Sequence, residues 1–164
     1  MAVEDRVRAA QRGDPLAMSA LIRDLMPWIS RICGSIALDD GDDAAQETLV
    51  LDLRNLPTLR EPAALRAWVR RIAVRESVRI ATRGRDVPVS DVTERELPDV
   101  DLDDRMDVRE TLNRLPPRER AVLALRYLED LSEEQTAEVL GVEPGTVKSR
   151  AHRAKQAFEE RWGG

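Results

Sequence analysis

An aspartate followed by a proline at positions 14 and 15 opens the stretch that most narrows what this chain can become. Behind that pair, Leu16, Ala20, Leu21, Leu25, Ile29 and Ile32 recur at spacings of three and four, which gathers them on one face at 3.6 residues per turn. Asp14 is a favoured N-cap, and Pro15 suits the first helical position, where no backbone N–H is needed. The pattern predicts a helix from Pro15 that stops near Gly34. A second helix is predicted from about Asp42, with Ala45, Leu49, Leu53 and Leu56 on one stripe, an acidic first turn of Asp42 and Asp43 that suits the helix dipole, and a stop at Pro57. A third starts at Pro62 and runs through Leu65, Trp68, Val69, Ile72, Ala73 and Val78 to about Ala81. A short helix, roughly Glu4 to Gln11, precedes Gly13. Only Trp28, Trp68, Tyr127, Phe158 and Trp162 are aromatic, so a β-sandwich is excluded and the fold class is all-α.

Periodicity is lost after Gly84. Pro88 and Pro98 interrupt a run rich in acids, which predicts a flexible acidic linker over residues 85 to 104 between two small helical domains, 1 to 84 and 105 to 164. The second block begins near Asp104, is broken at Leu115-Pro116-Pro117, and resumes through Ala121, Val122, Leu125 and Leu128. After Glu129-Asp130-Leu131, the run Ser132-Glu133-Glu134-Gln135 has the form of a capping box, and that helix ends at Leu140-Gly141. Glu143-Pro144-Gly145 opens a final helix reaching about Arg161.

The segment from Glu133 to His152 meets the spacing of a helix-turn-helix. Ala137 lets two helices cross closely, Gly141 can take the left-handed turn, and Val147 supplies the apolar contact of the second helix. Lys148, Ser149, His152 and Arg153 then fall on neighbouring turns facing away from Val147, where a helix lying in a major groove would meet bases and phosphates. A formal charge of -5 argues against a DNA-binding protein until it is divided along the chain. Residues 1 to 53 hold 5 basic and 10 acidic side chains, 54 to 85 hold 9 and 2, 86 to 110 hold 3 and 10, and 111 to 164 hold 9 and 9. Between Thr146 and Ala157 lie Lys148, Arg150, Arg153 and Lys155 without an acid. The acidic average thus conceals two basic helices.

Leu115-Pro116-Pro117-Arg118-Glu119-Arg120, Leu125 to Ser132, Gly145 to Arg150 and His152-Arg153-Ala154 resemble region 4 of bacterial RNA polymerase sigma factors of the extracytoplasmic-function (ECF) type. Gly13-Asp14, Asp42-Asp43-Ala44-Ala45-Gln46-Glu47-Thr48 and Leu65 to Ala73 resemble region 2 of the same group, in the same order and with no region 3 between. The resemblance implies a sigma factor that binds core RNA polymerase and directs promoter-specific transcription initiation. It implies core docking through Asp42, Asp43, Gln46 and Glu47, contact with the -10 element through Asn55, Arg60, Arg66 and Arg70, and reading of the -35 element by Thr146, Lys148, Ser149, His152 and Arg153. An anti-sigma factor is an expected further partner.

The chain also departs from the family. Met18, Ile22, Leu49 and Leu53 stand where aromatics are common, and the loop from Pro57 to Glu61, the family's reader of an unpaired -10 base, has no aromatic to stack on it. That absence motivates a rival reading as a sigma-like decoy that titrates an anti-sigma protein; a dimeric helix-turn-helix regulator is the other. No cofactor or metal is expected, since Cys33 and His152 are the only residues of their kinds and no nucleophile is paired with a base. Trp28 and Trp68 read as core, and Cys33 as a small buried hydrophobe. No run of about 18 apolar residues and no apolar signal core occur, so a cytoplasmic protein without a membrane segment is expected.

Overall fold

The computed structural model describes residues 2–83 and 104–162, which fall into two compact units, Met1–Ala81 and Thr82–Gly164. Among the described residues there are helices and turns and no strand. The predicted linker, residues 85 to 104, lies outside the described residues apart from Asp104, which begins a helix. No helix among the described residues is long and apolar enough to cross a membrane.

The N-terminal unit is built from α1 (Val3–Gln11), α2 (Pro15–Ala37), α3 (Gly41–Asn55) and α4 (Leu65–Thr82). Asp14 caps α2 as its sequence predicts, its Oδ1 accepting from the N–H of Leu16 at 2.9 Å and of Ala17 at 3.3 Å. Pro27 removes one hydrogen bond from the middle of α2, yet the helix continues because Trp28, Ile29, Ile32, Cys33 and Ile36 are buried along it. It also passes Gly34, where the sequence predicts its end, and runs to Ala37 before Leu38 turns the chain at φ 53°. Across the turn, a Cβ on Gly41 would stand 2.8 Å from the Cα of Gly34, so the close approach of α2 and α3 requires glycine at 41, while a Cβ on Gly34 would meet nothing within 4 Å.

On α3 the sealed positions are Gly41, Ala44, Ala45, Thr48 and Asp52; Leu49 and Leu53 are only half-buried. The predicted stripe is therefore rotated, with small residues against α2. Met18, Ile22, Leu49 and Leu53 all line one small apolar recess with Trp68 and Asp52. The third predicted helix begins with a 3-10 turn, Pro62–Ala64, before α4 proper. Glu61 caps that turn through the N–H of Ala63.

The C-terminal unit contains α5 (Asp104–Arg114), α6 (Pro117–Leu123), α7 (Glu133–Leu140) and α8 (Pro144–Trp162). The break at Pro116-Pro117 is closed by a buried cation. Arg120, 3% exposed, donates to the carbonyls of Leu112 at 3.1 Å and Leu115 at 2.6 Å at the end of α5, the first of which also accepts from the N–H of Leu115. After α6 the chain widens into a π-helical turn, Ala124–Leu128, and Asp130 reverses it at φ 57°.

Candidate functional site

The capping box forms as predicted: Ser132 Oγ accepts from the N–H of Gln135 at 3.1 Å, and Gln135 Oε1 accepts from the N–H of Ser132 at 2.9 Å. Gly141 ends α7 in the left-handed conformation at φ 67°, and the N–H of Val142 reaches back to the carbonyl of Ala137 at 3.0 Å. Ala137, Val147 and Val122 form the sealed centre beneath the turn, with Leu140, Val142 and Ala151 packed around it. Burying these residues fixes the rotation of α8. Val147 and Ala154 face inward at 0% exposure, and Lys148, Ser149, His152 and Arg153 are left in solvent. Thr146, at the entry to the helix, is half-buried.

Those outward side chains are not equivalent. Ser149 Oγ donates to the carbonyl of Gly145 at 3.0 Å, a bond within its own helix. Arg153 Nε lies 3.5 Å from Oε1 of Glu119 on α6, a side chain 11% exposed. Burial raises the Glu119 carboxyl above its ordinary range, and the charges of Arg153 and then Arg150 oppose that rise. Arg150 is lowered chiefly by burial, and also by Arg118 and Arg153 beside it, with Glu119 acting the other way. One acid therefore faces two guanidinium groups, with a third beside Arg150.

In the N-terminal unit Asp42, Asp43, Gln46 and Glu47 are all exposed, while Ala44, Ala45 and Thr48 between and beside them are buried. The four form one acidic and amide face on α3. Glu47 also reaches toward α4, where its charge adds to the raised Arg79 guanidinium, although Glu76, bonded to Arg79 at 2.6 and 2.8 Å, is the larger cause.

Arg66 and Arg70 are brought together by a residue that pattern alone assigns only to the core. Their guanidinium carbons stand 4.7 and 5.7 Å from the ring centre of Trp28, itself 8% exposed. Asn55 is half-buried and donates to the carbonyl of Leu51 at 2.9 Å, and Arg60 is exposed. The loop between α3 and α4 is supported from α1. Gln11 Nε2 donates to the carbonyls of Leu56 at 3.0 Å and Leu59 at 2.8 Å. Sequence reasoning missed Gln11 and Glu119, because their partners lie 48 and 34 residues away and leave no local signal.

Two further groups are buried on α2 and α3. The Cys33 thiol is pushed up by burial and lies 3.8 Å from Thr48 Oγ1. The Asp52 carboxyl is pushed up to about 7 by burial, and neither oxygen has a hydrogen-bond partner among the described residues. Among the described residues no three His, Cys, Asp or Glu side chains gather into a metal-binding group.

Comparison with known proteins adds the following. The family model described as sigma-70, region 4 matches residues 105–158. The chain is 31% identical to the RNA polymerase sigma-H factor of Pseudomonas aeruginosa over 94% of its own length and 90% of that protein. It is also 31% identical to the ECF RNA polymerase sigma factor SigM of Mycobacterium tuberculosis, over 87% of its length and 76% of that protein. Its fold is similar, with a TM-score of 0.64 and 24% identity, to the sigma factor RpoE solved in complex with the anti-sigma factor NepR from Bartonella quintana, over 87% of this chain and 94% of that one.

Proposed function

The chain belongs to the ECF sigma factors of RNA polymerase, which direct transcription initiation, and from that premise we propose how its two units divide the task. The observation that carries the reading is the rotation of α8. With Val147 sealed, Lys148, Ser149, His152 and Arg153 point outward as a row, and Thr146 stands at its entry. A helix presenting such a row suits the major groove of the -35 element. The second domain, 105 to 164, is then sigma region 4.

The first domain, 1 to 84, is region 2 in this reading. Asp42, Asp43, Gln46 and Glu47 dock core polymerase, which suits an exposed acidic face on a well-anchored helix. Arg66 and Arg70 follow the -10 phosphates, and Asn55 beside the loop and Arg60 within it meet the opened strand. Residues 85 to 104 link the two domains. Binding to free DNA is weak because the whole chain is acidic, and promoter affinity comes from polymerase. An anti-sigma protein is a further partner, by analogy with the RpoE complex. The protein works in the cytoplasm as an initiation factor, with no reaction of its own.

Run-off transcription with purified core polymerase tests the proposal. The wild-type chain gives a specific transcript; a chain that binds core and an anti-sigma protein but yields none is the decoy instead. Reversing charge with Asp43→Lys and Glu47→Lys lowers core affinity at least about a hundredfold, on the order of 3 kcal/mol. Unchanged core affinity rejects the docking face.

A further inference from the structure

We infer that Glu119 is a positioning residue for recognition of the -35 element: its ion pair with Nε of Arg153 turns the two Nη amines together toward a base edge. The inference rests on α8 being the DNA-reading helix. Its geometry is a bridge from the inside of the unit to its surface. The Glu119 side chain is 11% exposed and that of Arg153 is 59% exposed, with Nε and Oε1 3.5 Å apart. The acid end is therefore fixed by packing and the guanidinium end is wet.

The guanidinium is a planar fork of five N–H donors. Pairing Nε with a carboxylate 3.5 Å away draws that edge of the guanidinium toward the protein and leaves the paired Nη amines, the edge that matches O6 and N7 of guanine. An untethered arginine has many rotamers, and part of that freedom is lost on every contact it makes. Holding it beforehand moves that cost from DNA binding to folding.

Glu119 has a second effect through charge. Arg150 and Arg153 both lie near this carboxylate, Arg118 lies beside Arg150, and Arg150 is half-buried. Without the acid, Arg150 and Arg153 would repel each other unopposed and attract phosphate without regard to sequence. Glu119 thus lowers indiscriminate attraction to DNA while raising selectivity. A residue that only held the fold together would not move those two quantities in opposite directions.

The experiment uses holoenzyme, the full chain on core polymerase, with promoter fragments randomised across the -35 element and unrelated duplex as competitor. Glu119→Gln is expected to reduce discrimination at the position read by Arg153 about three- to tenfold. Affinity for the unrelated duplex rises, and its salt dependence steepens by about one unit of slope. Adding Glu119→Gln to Arg153→Ala produces no further loss of discrimination. If Arg153→Ala loses discrimination and Glu119→Gln retains it, Glu119 has no positioning role. If Arg153→Ala is itself without effect, α8 does not read bases in this register and the inference falls with it. A measurement on the unmodified chain covers the case in which Glu119→Gln does not fold. The Arg153 Nε–H resonance should shift as the pH is lowered through the titration of Glu119, and a resonance that stays in place overturns the inference.

Discussion

Arg120 in the C-terminal unit and Asp52 in the N-terminal unit are both nearly sealed from water, at 3% and 5% exposure. Arg120 holds the carbonyls of Leu112 and Leu115; Asp52 has no hydrogen-bond partner for either oxygen among the described residues. The difference teaches what a buried charge can do to a helical domain. Where it meets the carbonyls of a helix end it fixes a junction, here the bend from α5 into α6. Where it meets apolar walls it stays neutral below about pH 7, and the packing around it depends on protonation. Asp52 lies on the inward side of α3, the helix that carries Asp42, Asp43, Gln46 and Glu47 outward. Support for the helix-turn-helix is thus indifferent to pH at this junction, while support for the proposed docking helix is not.

The largest effect that could break this contrast belongs to Asp52. Its ordinary value is 3.8 and its buried value about 7, so the folded chain keeps the proton that the unfolded chain has lost. The contribution is fully present below pH 3.8, declines as pH rises, and is lost once pH has passed about 7. The loss totals about 4 kcal/mol at about 1.4 kcal/mol per unit. Urea unfolding of the full chain across this range should show the N-terminal unit weakening in the wild type and a flatter profile in Asp52→Asn; equal slopes would remove the contrast. Next in size, Arg120→Met removes the donor from the carbonyl of Leu115 and one of two donors from that of Leu112, and should cost the C-terminal unit about 2–3 kcal/mol, unchanged between pH 4 and 7. A loss below about 0.5 kcal/mol would mean that the junction holds without the cation. The smallest effect sharpens the picture of the helix-turn-helix itself. Gly141→Ala forces a side chain into a left-handed turn at φ 67° and should cost about 1 kcal/mol, read as a lower midpoint for the same unit.

What was legible in the sequence follows from how local each device is. The caps at Asp14 and Ser132 and the trio Ala137, Gly141 and Val147 act over a few residues, and the structure places them as their spacing predicts. Gly34 reads as a stop because a glycine at a helix end and a glycine facing a helix crossing look alike until Gly41 arrives opposite. Trp28 was correctly assigned to the core, but its hold on Arg66 and Arg70 required α2 and α4 to meet. The acidic face of α3 and the basic row of α8 were legible as patterns, whereas the acid behind Arg153 was not. Glu119 belongs to a different helix, and its burial is a property of the packed unit.

The contact between Gly34 and Gly41 also has a direction for how this chain can change by descent. A Cβ added at Gly34 meets nothing within 4 Å, whereas one added at Gly41 strikes the backbone of Gly34. The first glycine is open to replacement by alanine, which would gain roughly 0.5–1 kcal/mol of helix propensity. The second cannot be exchanged without pushing two helices apart. Drift at this crossing is therefore one-sided: sequences descended from this one can lose the glycine that looks like a helix stop and must keep the one that looks like an ordinary helix start.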